Sequence, residues 1–188
     1  MPIARLNFRR HFVLLACALA VIVILAQLDF FGTSALLPDA AIYGALHAIA
    51  LTGALDMPAT LSRKGLFILS AAALDVAALY IGILSLGLLS STPLGMALRA
   101  YLAFGISATA GAICYGLLIR FVWLRDLGPR RIVQISLGCL VATLLAVVIE
   151  HLIGVTGLWA LAAVWWCAFS SGLWLVGRSH SLRAHADA

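Results

Sequence analysis

Six apolar runs, each long enough to cross a bilayer as a helix, take up almost the whole chain and leave little else to fold. They lie at about 12–31, 40–57, 65–90, 94–120, 131–154 and 157–177. A helix needs about 20 residues to span the ~30 Å hydrocarbon layer, and lipid tolerates only segments that satisfy their backbone hydrogen bonds internally. The chain is 188 residues long, 10% charged, with a mean hydropathy of +1.13. Soluble domains are about a quarter charged. The expected fold is therefore an all-α integral membrane protein of six transmembrane helices in a single domain. No extramembrane piece exceeds about a dozen residues, too few to bury a core of its own.

The first run follows ARLNFRRH and contains the triplet Ala18-Leu19-Ala20, the ingredients of a secretory leader. Cleavage there would fall inside an apolar run that continues to Leu28, so the segment is expected to be a retained span. Eleven of the twelve Lys and Arg residues fall before span one, between spans two and three, around the four–five connection, or after span six. Basic residues stay on the cytoplasmic side, which places both termini there, in a cell inner (plasma) membrane. The same asymmetry accounts for the net charge of +5, so nucleic acid is not an expected partner. Trp159, Trp123 and Trp174 fall at interface depth, whereas Trp165 and Trp166 fall mid-span and read as packing residues.

Several chemistries lack their residues. There is no phosphate-binding G-x-x-x-x-G-K-[ST] loop for ATP hydrolysis and no TVGYG filter. Lys64, the only lysine, lies in a connection, which removes a membrane-embedded Schiff base. Cys17, Cys114, Cys139 and Cys167 lie inside apolar runs with no CxxC spacing, as buried small residues rather than a redox pair. Ser107 and Ser136 have no His and Asp partners at matching depth for a serine hydrolase. The basic LRDLGPRR connection, with Asp126 the only acid in it, could meet anionic lipid headgroups. SHSLRAHADA is expected to be a mobile polar tail.

What remains is a small set of polar side chains inside the spans. An ionised group facing lipid at mid-bilayer costs about 2.5–3.5 kcal/mol on insertion scales, so each should face protein or water. Asp75 sits in LSAAALDVAALYIG on a helical stripe with Ala71, Ala72, Ala78, Gly82 and Ser85, a surface that lets another helix approach closely. Arg99 shares a stripe with Gly95, Ala103, Ser107 and Gly111; Glu150 shares one with Ala146, Thr143, Cys139 and Ser136. By helical rise, Asp29, Tyr43, His47, Arg99, Glu150 and His151 belong to the outer half, and Asp75 and Tyr80 lie deeper. Together they would outline a funnel opening outward and ending near Asp75, with Arg99 pairing with Glu150 or Asp29 to order its mouth.

The function expected from this pattern is a small transporter or channel component for a cation, a proton-coupled solute or a small polar molecule, with Asp75 carrying the coupling. One alternative is a non-catalytic subunit of a larger membrane complex, or a homo-oligomer, in which the polar groups serve assembly. Another is a membrane-embedded enzyme with His151 and Glu150 as acid and base. His47 and His151 could also ligate haem, or bind a metal ion together with Glu150 and Asp29, although no HxxxH or HExxH spacing supports this. Hydrogen bonding between helices is the simpler role for these histidines.

Overall fold

The computed structural model describes residues 6–27, 36–55, 60–125, 127–153 and 158–186. They form six helices: α1 (Phe8–Gln27), α2 (Leu36–Gly53), α3 (Leu61–Leu89), α4 (Met96–Val122), α5 (Pro129–Ile153) and α6 (Leu158–Ala186). Five are long and apolar enough to cross a bilayer, and α6 adds the shorter apolar stretch Ala160–Val176. The chain is an all-α, multi-pass membrane protein. α6 continues as helix to Ala186, so the segment expected to be a mobile tail is helical through most of its length. Its Leu-Arg-Ala-His-Ala sequence contains good helix formers and no breaker.

Local chemistry sets the helix ends. The Asn7 side chain accepts the Arg10 backbone N–H at 3.1 Å, a cap that starts α1 four residues before the apolar run. Thr60 caps α3 by accepting from the Arg63 N–H at 3.4 Å. α5 opens on Pro129, at the position where a missing N–H costs nothing. The α3–α4 turn is closed by hydroxyls that donate back three residues, Ser91 to Leu88 O at 3.1 Å and Thr92 to Leu89 O at 2.6 Å.

Successive helices pack side by side, and α6 returns to touch both α1 and α2, closing the six into a ring. With little hydrophobic force between helices in lipid, close contact depends on small residues. At Gly44 of α2 an added Cβ would stand 2.6 Å from the Ala71 carbonyl oxygen and 3.0 Å from Asp75 Cβ on α3, so only glycine allows this approach. The Asp75 and Arg99 stripes meet each other, with Ser107 opposite Gly82 and Ala78 opposite Gly111. Ser107 Oγ donates to the Ala78 carbonyl at 2.6 Å, and Trp165 Nε1 donates to Ala108 O at 3.1 Å, tying α4 to α3 and to α6. At the far end from the α3–α4 turn, the Arg63 guanidinium lies 4.7 Å over the Trp123 ring and donates to Val122 O, joining the start of α3 to the end of α4.

Candidate functional site

A half-open cavity of about 390 Å³ is lined by residues of α2, α3, α4, α5 and α6. Along α3 it runs from Leu86, near the α3–α4 turn, to Asp75, eleven residues and about 16 Å of helix rise deeper. Its walls are leucine, isoleucine, alanine and Phe104. Tyr43, Trp165 and Trp166 line it along with Asp75.

Asp75 is half-buried, and among the described residues no hydrogen bond or ion pair reaches its carboxylate. Tyr115 on α4 is within its electrostatic reach, and the Tyr115 hydroxyl is itself buried without a partner. Two more polar groups on the wall are already engaged, because Ser107 and Trp165 donate to backbone carbonyls. Thr143, from the Glu150 stripe, also lines the cavity, and its hydroxyl is unpaired. A carboxylate left this way is costly until a proton or a cation joins it.

Beyond the aromatic floor lies a second polar cluster of a different kind. His47 is 1% exposed and lies between the rings of Tyr115 and Trp166, with centroids 5.1 and 5.2 Å away and planes within 14° of parallel. Trp165 and Phe169 meet it edge-on. His47 Nε2 is 3.4 Å from Ser170 Oγ on α6, and His11 Nε2 on α1 is 2.9 Å from the same oxygen. His11 Nδ1 is 3.4 Å from the Ala50 carbonyl, which can only accept. The consistent assignment has His11 Nδ1–H donating to Ala50, Ser170 donating to His11 Nε2, and His47 Nε2–H donating to Ser170. This leaves His47 Nδ1 as a buried acceptor without a partner.

The expected residues therefore separate. Asp75 and Tyr43 come together in the cavity. His47 is core, absent from the cavity lining. Arg99 is a turn lock: its Nη2 donates to Thr92 O at 2.7 Å and its Nε has no partner, so no ion pair forms with it among the described residues. Tyr80 is 49% exposed on the outside of the bundle and takes no part in the lining. Its place follows from helix geometry, since five residues from Asp75 is about 140° around the axis. Asp29 and the side chains of Glu150 and His151 lie outside the described residues, as does any pairing of Arg99 with them.

The haem and metal readings meet a different neighbourhood from the one expected. The companion of His47 is His11, with ring centroids 6.3 Å apart, and a porphyrin would have to displace the Tyr115 and Trp166 rings. Among the described residues no group of three or more His, Cys, Asp or Glu side chains is placed to hold a metal ion.

Sequence reasoning missed His11, Tyr115 and Ser170. One signal was available for His11: with Leu15, Ala18 and Ile22 it follows the 4-3-4 spacing of a single helix face, and all four are buried. No protein-family model, no curated protein and no solved structure matches the chain.

Proposed function

We propose that this protein is a small transporter or channel component that admits a cation, a proton-coupled solute or a small polar molecule to the Asp75 cavity. Access is from the end of the bundle that carries the α3–α4 turn. In this reading that end is the outer one, because the other end carries most of the basic residues, and the membrane is a cell inner membrane. One observation carries the reading: an unpartnered carboxylate at the inner end of a cavity, about 16 Å of helix rise from Leu86 at the cavity's other end. Intramembrane ionisable groups mark ion and substrate pathways more often than they serve as glue, and a group serving as glue would be paired. Tyr43 lines the cavity from α2, the helix packed against Asp75 at Gly44, and Arg99 holds the α3–α4 turn.

The test is flux in proteoliposomes under an imposed potential, following protons and monovalent cations separately. Wild type should carry one of them, and Asp75→Asn should abolish that flux while keeping its helix content and melting temperature. Undiminished flux in Asp75→Asn would remove the residue from the mechanism. No flux from a chain that purifies only with stoichiometric partners would favour the complex-subunit reading.

A further inference from the structure

We infer that the Asp75 cavity binds an organic ammonium ion, an apolar body carrying one positively charged head, in preference to a bare inorganic cation, a neutral polar solute or an anion. The inference rests on the Asp75 cavity being the functional site and narrows what that site accepts.

The wall decides the body of the ligand. Leu79, Ile83, Leu86, Phe104 and Leu161 present hydrocarbon to the cavity, and about 390 Å³ falls within the ~300–1,000 Å³ usual for small-molecule sites. A sugar or other polyhydroxyl solute would lose its water hydrogen bonds and find few replacements. The Ser107 hydroxyl and the Trp165 N–H are committed to Ala78 O and Ala108 O. Leaving polar ligand groups unpaired in such a place is strongly unfavourable.

The floor decides the head. An anion would meet the Asp75 carboxylate with no Lys or Arg on the lining to offset it. A dehydrated metal cation needs six or more oxygen ligands if it is calcium-like, and the deep wall supplies the Asp75 carboxylate, the Thr143 hydroxyl and the Tyr43 phenol. An ammonium head needs much less. One carboxylate supplies its charge-assisted hydrogen bond, and Trp165 and Tyr43 on the lining offer aromatic surface of the kind that attracts organic cations.

The probes are phenylbutylammonium and phenylbutanol, which share one carbon skeleton and differ in head charge. Each is titrated calorimetrically into the purified full-length protein in detergent, with empty micelles as the blank. Wild type should bind the ammonium saturably and on the order of tenfold or more tightly than the alcohol, because the charge pair forms in a low-dielectric site. Asp75→Asn should erase that preference while binding the alcohol as wild type does. The wild-type comparison stands even if the variant folds poorly. Equal or tighter binding of the alcohol, or a preference that survives Asp75→Asn, overturns the inference. Saturable binding of neither probe, alongside inorganic-cation or proton flux that depends on Asp75, overturns the ligand class and leaves the transport reading standing.

Discussion

Asp75 and His47 are both polar groups sunk in a helical bundle, and they sit against the same aromatic layer, yet their surroundings are opposite. His47 is wrapped by four aromatic rings and linked through Ser170 to His11, so α1, α2 and α6 are knotted by one hydroxyl. Asp75 faces open volume with no hydrogen-bond partner among the described residues. The difference separates two uses of polarity in a membrane. A group that is packed and mostly satisfied contributes to assembly and to the choice of helix neighbours. A group that is desolvated and unsatisfied lowers stability and is kept because something binds there.

Mutations on the two sides of the layer should therefore behave differently. Removing the shared floor is the harshest change: Trp166→Ala empties a fully buried site and should cost about 3–5 kcal/mol, read as a large fall in melting temperature with both regions disturbed. Gly44→Val comes next, at about 3 kcal/mol, because its Cβ would meet the Ala71 backbone oxygen at 2.6 Å and part α2 from α3 beside Asp75. A Gly44→Val protein as stable as wild type would mean the two helices do not touch there. Ser170→Ala cuts the knot but keeps its volume, and should cost about 0.6 kcal/mol, at most about 1.7, by the record of interhelical hydrogen bonds in membranes.

The smallest stability effect belongs to the residue of greatest functional weight. Asp75→Asn should leave the melting temperature unchanged or raise it, since it removes an uncompensated charge and no hydrogen bond. A loss of stability as large as that of Trp166→Ala would place Asp75 with His47 among the residues that hold the helices together. Tyr80→Phe, on the bundle surface, should stay within about 0.5 kcal/mol and leave flux untouched.

Much of this was legible in the sequence, for identifiable reasons. Lipid imposes length and hydropathy on each span, so the six helices could be counted directly. The inward face of Asp75 followed from a stripe of small residues, because helical spacing is local. Boundaries were less legible: α1 starts at Phe8 rather than near 12, since the Asn7 cap carries the helix through Arg9 and Arg10, which a hydropathy window excludes. The hydrogen bond from Arg99 to Thr92 O was not legible, because a search for a counter-charge does not see a backbone carbonyl seven residues away. His11 and Ser170 are 159 residues apart, and nothing in either neighbourhood signals that they meet. The ring closure of α6 onto α1 is what joins them, and it is a property of topology rather than of any span.

Reaction with carbodiimides in the folded, membrane-embedded protein, followed by peptide mass spectrometry, asks most directly whether Asp75 stands free in an apolar cavity. Dicyclohexylcarbodiimide, which travels through hydrocarbon, should modify Asp75, and a water-soluble carbodiimide carrying an ammonium group should reach it too when added from the outer side. Asp75 untouched by either reagent in the folded protein, but labelled once detergent unfolds it, would contradict the account, because its carboxyl would then be sealed against protein like the ring of His47.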